Sequence, residues 1–125
     1  MLHEINPPGF PEGNLTRRWF ADEFFDLFVW LDAQGTIFSF QLCYDKGHDE
    51  HAITWRSPSS YFHQRVDDGE NGPGIGKATP ILVPDGTFDF SALAHRFKSA
   101  IAEIDPQISI FVHTKIVDFA QRTVA

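Results

Sequence analysis

The sequence predicts an α+β fold: an antiparallel β-meander of three or four strands followed by two C-terminal helices, at least one packed on an aromatic sheet face. Three observations carry this reading. Residues 24–44 form two alternating apolar runs around a tight turn, residues 51–55 resume that alternation, and residues 89–104 switch to helical spacing.

The chain has 125 residues, the length of one domain at ~100–200 residues each. Residues 1–16 hold Pro7, Pro8, Gly9, Pro11 and Gly13, the composition of an extended or mobile N-terminal arm. The domain proper is placed at 17–125, starting with Arg17-Arg18-Trp19-Phe20.

Asp32-Ala33-Gln34-Gly35 fits a type I turn followed by a glycine in the left-handed region, which would pair Asp32 with Thr36. An uninterrupted ladder from that turn sets Trp30 opposite Phe38, Phe28 opposite Phe40, Asp26 opposite Leu42 and Phe24 opposite Tyr44. That face is strongly aromatic and is expected in the core, with Trp30 and Phe40 at its centre. The other face carries Phe25, Leu27, Val29, Leu31 and Ile37 together with Ser39, Gln41 and Cys43. After the polar turn 45–50, His51 to Trp55 returns with Ile53 near Leu42 and Trp55 near Phe40. Ser57-Pro58 marks a break, and Tyr61 to Val66 reads as a fourth, shorter strand. Residues 67–86 read as loop, with Ile81-Leu82-Val83 a short extended piece.

Asp89 is a good helix N-cap, and Phe88 and Leu93 have the spacing of a hydrophobic staple. Phe90, Leu93, Ala94, Phe97, Ile101 and Ile104 then share one stripe. Asp105-Pro106 ends this helix and can start a second. Over 106–121 helical offsets are favoured, although Ile108, Ile110 and Val112 also alternate as a strand would.

Composition narrows the function. Aromatic residues reach 14%, and net charge is −7. An acidic chain whose only adjacent basic pair is Arg17-Arg18 lacks the clustered cations of a nucleic-acid surface. No apolar run approaches the ~20 residues needed to span a bilayer. The N-terminus has no secretory apolar region, and the single Cys43 suits a reducing compartment, so a cytoplasmic location is expected.

No cofactor is called for. Gly72-Pro73-Gly74-Ile75-Gly76-Lys77 resembles a phosphate loop only superficially. Asn71 stands where the first glycine belongs, and Ala78 replaces the magnesium-binding hydroxyl. Cys43 is read as a small strand residue rather than a nucleophile, since no activating neighbour is evident.

Two sets of groups carry possible chemistry. His48, His51, His63 and Asp67 are candidate metal ligands, and His51, His63, Asp67, Asp68 and Glu70 are candidate catalytic groups, because imidazoles and carboxylates bind divalent metals and exchange protons. The simpler account of these residues is a solvated turn and an acidic loop. Asp26, placed by the ladder among Phe24 and Phe28, is a candidate acid, because a carboxyl in apolar surroundings resists ionisation. A structural ion pair or a position at the sheet rim is its simpler account.

The segments Arg17-Arg18-Trp19-Phe20, Asp26-Leu27-Phe28-Val29-Trp30 and Phe40-Gln41-Leu42-Cys43-Tyr44-Asp45-Lys46, with Val66-Asp67-Asp68-Gly69-Glu70 and Thr79-Pro80-Ile81-Leu82, resemble a group of small uncharacterised bacterial proteins over about residues 17–120. The resemblance implies a bacterial cytosolic protein and carries over no catalytic role. Two functions are expected to compete. The first is a binding or interaction module, homodimeric through the mixed apolar sheet face. The second is a small hydrolase, metal-dependent in one form, using the His/Asp/Glu set at 48–51 and 63–70.

Overall fold

The computed structural model describes residues 1–5, 10–67, 81–84 and 89–123. Its sheet has eight strands: β1 (His3–Glu4), β2 (Phe10–Glu12), β3 (Leu15–Ala21), β4 (Phe25–Leu31), β5 (Ile37–Tyr44), β6 (His51–Arg56), β7 (Ser60–Asp67) and β8 (Ile81–Pro84). Two helices follow, α1 (Phe90–Ala100) and α2 (Pro106–Thr123). From β3 to β8 each strand pairs antiparallel with the next, and β1 and β2 pair with opposite ends of β3. The α+β class and the meander order agree with the sequence, but the sheet is wider than the expected three or four strands. No helix among the described residues is long and apolar enough to cross a membrane.

The additional strands come from the sequence flanking the aromatic hairpin. β1 and β2 lie in the expected arm, and Leu2 is fully buried, its amide donating to the Ala100 carbonyl at the end of α1 (2.8 Å). Arg18 closes this edge. Its guanidinium grips the Glu4 carboxylate with two 2.7 Å hydrogen bonds and reaches Asp105 at 3.4 Å. One side chain therefore links β1, β3 and the start of α2.

The turn at 32–35 forms as expected. Gly35 has φ 82°, and the Asp32 amide donates to the Thr36 carbonyl. The ladder beyond it differs by one residue. Leu31 pairs with Ile37, but a bulge follows, and Trp30 pairs with Ser39, Val29 with Phe40, Leu27 with Leu42 and Phe25 with Tyr44. Phe38 is the extra residue and is exposed. A one-residue slip exchanges the faces of one strand relative to the other. The core face thus combines Phe25, Leu27 and Val29 with Phe40, Leu42, Tyr44, Ile53 and Trp55, while Asp26, Phe28 and Trp30 lie on the opposite face.

The expectation that Trp30 and Asp26 sit on the buried aromatic face is corrected, as is the apolar dimer face. Phe25, Leu27, Val29 and Ile37 are buried within the monomer. The physical reason is Asp26. Every other residue from Phe24 to Leu31 is apolar, so either face of β4 can fill a core, and only one choice spares the carboxylate desolvation. For β5 and β6 the expected register holds: Ile53 pairs with Leu42 and Trp55 with Phe40.

Both helices cover the core face. Phe97 of α1 meets Phe25 edge-on at 5.7 Å, and Phe111 of α2 meets Trp55 at 5.1 Å. Asp89 caps α1 by accepting from the Ala92 amide. α1 ends at Ala100 rather than 104; a turn closed by the Ile104 amide donating to the Ile101 carbonyl (3.3 Å) then leads into α2 at Pro106. Residues 106–123 are helical, and the Asp105 carboxylate accepts from the Gln107 amide at its start.

Candidate functional site

The sheet face away from the helices carries three cross-strand rows. Ala21, Asp26, Cys43, Ala52 and Gln64 form one, Trp19, Phe28, Gln41, Thr54 and Phe62 the next, and Arg17, Trp30, Ser39, Arg56 and Ser60 the third. Trp19 stacks on Phe28 (5.6 Å), Phe28 leans toward Trp30 (6.4 Å), and the Arg17 guanidinium lies over Phe28 (5.6 Å). Trp19 and Phe62 on this face and Phe38 at the bulge beside it are exposed, as are Met1 and, on α2, Ile110.

A cavity of ≈ 410 Å³ opens here, lined by Leu15, Trp30, Phe38, Ser39, Gln41, Thr54 and Arg56. That volume is in the range of small-molecule sites, ~300–1,000 Å³. The slipped register builds it, because the extra Phe38 and the displaced Trp30 stand along one wall. On the floor, Gln41 and Thr54 are direct cross-strand partners. Gln41 is only 7% exposed, and neither its Nε2 nor the Thr54 Oγ1 has a hydrogen-bond partner among the described residues. Ser39, alongside, donates to the Trp55 carbonyl (2.9 Å). The Trp55 indole N–H on the other face is also unpartnered, with its ring packed against Phe111 and under the Lys115 ammonium. Arg56 is exposed and makes no ion pair among the described residues.

Asp26 belongs to this face but not to the cavity. It accepts from the Trp19 indole (2.9 Å) and from Lys46 Nζ (3.3 Å). Lys46 also donates to the Asp22 carbonyl (2.8 Å). The carboxylate thus sits in the ion pair that was its simpler account. Cys43, next to it across the ladder, is 1% exposed. Burial pushes its thiol well above the ordinary range, helped by the charges of Glu50 and Asp26, the opposite of an activated nucleophile.

His51 and His63, from adjacent strands, do come together, but on the core face. Their rings stack at 5.5 Å, Tyr44 stacks on both, and Phe90 meets His63 edge-on at 4.8 Å. The Tyr44 hydroxyl and His63 Nε2 share a hydrogen bond. His51 Nδ1 lies 2.6 Å from the Asp49 carbonyl, which can only accept, so the proton is on Nδ1. His48 does not join them. It is 81% exposed and sits beside Asp45 in the turn. Asp67 pairs with Ile81 through its backbone. Its side chain, Asp68, Glu70 and the glycine-rich segment 72–77 lie outside the described residues. Among the described residues no group of three or more His, Cys, Asp or Glu could hold a metal ion.

Reading the residues one by one missed Gln41, Thr54 and Arg56 as a set. Their signal was present: polar residues at alternate positions of otherwise apolar strands, all on the face opposite the one the helices cover. Comparison with protein-family models, with curated proteins and with solved structures finds no significant match to this chain.

Proposed function

We propose that this protein is a binding module whose site is the cavity on the open sheet face. One observation carries the reading: a buried amide and a buried hydroxyl, cross-strand neighbours on the cavity floor, have no partner. An unpaired buried polar group costs about 1–3 kcal/mol. A sequence that only needed a stable sheet would gain by placing apolar residues at these two positions. A ligand that hydrogen-bonds both groups removes the cost when it binds.

The test is direct. Gln41→Met and Thr54→Val should each raise the melting temperature, by a few degrees at ~1 kcal/mol each. If both variants lower it, those groups are satisfied in the free protein and the reading fails. Self-association, if it occurs, is assigned to this same open face, since Phe25 and its neighbours are buried under the helices. Light scattering reads it, with 14.2 kDa the mass of one chain.

The stacking of His51 on His63 is the observation that favours a hydrolase as second reading. Zinc or manganese titration should then raise the melting temperature of the native chain and not of His63→Ala. An unchanged native melt counts against it.

A further inference from the structure

Resting on the binding-module reading, we propose that the open-face cavity takes a small aromatic carboxylate: a planar ring held against Trp30 and Phe38, and an anionic group held by Gln41, Thr54 and Arg56. The chemistry of the lining selects this class. The Gln41 Nε2 amide and the Thr54 hydroxyl have no partner among the described residues, and the exposed Arg56 guanidinium makes no ion pair there; the amide and the guanidinium can only donate, and the hydroxyl can donate. A ligand matching them must supply acceptors, and a carboxylate supplies two oxygens with about four lone-pair directions.

Among the described residues lining the cavity Arg56 carries the only formal charge, and it is positive on a chain of net charge −7. An anion is therefore favoured locally and disfavoured over the rest of the surface. Charge-assisted hydrogen bonds to guanidinium are the stronger kind. The remaining lining, Leu15, Trp30 and Phe38, is apolar and mostly aromatic, suited to a flat ring. The volume of ≈ 410 Å³ is that of a small-molecule site.

The cavity also divides its work by depth. Gln41 and Thr54 are shielded, so bonds made to them form away from water. Arg56 is exposed, so its contribution is screened by salt. Binding should therefore weaken with ionic strength but not vanish.

The experiment uses the full ¹⁵N-labelled chain and three probes of one shape: phenylacetate, phenylacetamide and 2-phenylethanol, with acetate as a ring-free control. Phenylacetate should shift the Gln41 side-chain amide and the Trp30 indole resonances saturably. It should bind about tenfold tighter than 2-phenylethanol, a difference of ~1.4 kcal/mol. Arg56→Gln should remove most of that preference. Arg65→Gln, the same charge change on the opposite face, should leave it intact. Acetate alone should not saturate.

If phenylacetamide or 2-phenylethanol binds at the same resonances as tightly as phenylacetate, the carboxylate assignment is overturned and the cavity reading stands. If no probe moves those resonances while Gln41→Met and Thr54→Val raise stability, the ligand class is wrong. If those variants lower stability as well, the binding-module reading falls with it. A particle of twice the chain mass whose interface protects the Trp30 indole would show that a second copy, not a small molecule, occupies this face.

Discussion

Exchanging Leu27 and Phe28 in turn for glutamine separates the two possible faces of β4. Leu27 has no exposed surface and packs in the core shared with Leu42. Leu27→Gln gives up about 1.5–3 kcal/mol of apolar burial and leaves an amide unpaired at about 1–3 kcal/mol more. The sum, ~3–6 kcal/mol, is a large part of a net stability of ~5–15 kcal/mol. Phe28 lies on the open face, partly exposed and stacked on Trp19 at 5.6 Å. Phe28→Gln loses a stack worth ~0.5–1.5 kcal/mol and part of its apolar burial, while its amide can reach water, for a total near ~1–2.5 kcal/mol. At roughly 4 °C per kcal/mol for a domain of this size, the drops are ~12–24 °C and ~4–10 °C. Thermal melts followed by circular dichroism, with urea titrations to check that the m-value is constant, read both. With an uninterrupted hairpin ladder, Phe28 would be the core residue and the order would reverse. A Phe28→Gln chain less stable than Leu27→Gln would refute the bulge.

Three further outcomes follow from the packing. Tyr61 donates to Asp118 (2.6 Å), and Arg122 donates to the same oxygen (3.0 Å). These bonds hold the Asp118 carboxyl below its ordinary range, while burial first and then Asp118 push the Tyr61 phenol up to about 12. A depressed carboxyl stabilises the fold above its unfolded pKa, ~3.9, and that contribution is lost as pH falls through the lower folded value. Asp118→Asn should therefore flatten the acid limb of stability against pH. It should also bring the Tyr61 ultraviolet titration down part of the way, with burial keeping the rest; an unmoved titration breaks the assignment. Cys43 should react with a disulfide reagent at pH 8 only on unfolding, since burial raises its thiol; prompt reaction of the native chain contradicts this. Leu2→Ala should cost about 2–5 kcal/mol, as a core truncation does; a near-neutral melt would mean that the N-terminal edge contributes no packing.

What the sequence revealed depended on how many independent patterns bore on each element. The turn at 32–35 was legible because Asp32 and Gly35 each have a specific backbone role there, and β6 because alternation and turn length agreed on one register. Asp89 and Asp105-Pro106 marked both helix starts through local capping chemistry. β3 was not assigned as a strand, because Arg17-Arg18-Trp19-Phe20 does not alternate in hydropathy, and neither were the short edge strands β1, β2 and β8, because a few residues offer no periodicity. The edge strands are held by long-range pairing with β3 and β7 and, at Leu2, by a bond to Ala100. The bulge was illegible for a different reason. In β4 both faces are apolar, so hydropathy alternation carries almost no information about which one is buried. The one discriminating residue was Asp26, and it identified the core correctly only if its burial was refused rather than explained as function.

The same residue explains how a cavity arises on a face that needed none. Turning Asp26 outward also turns out Phe28 and Trp30, and β3 answers with Trp19 and Arg17 in matching rows. Ser39, Gln41 and Cys43 in the middle of β5 are buried beside these large side chains, on the face away from both helices. Cys43 tolerates this as a small apolar group, and Ser39 finds the Trp55 carbonyl. Gln41 and Thr54 find nothing. Stability alone favours apolar residues at both positions, at no cost to the ladder, whose hydrogen bonds come from the backbone. The hairpin slip that relieves a carboxylate thus raises an aromatic wall above two polar groups that have no partner among the described residues.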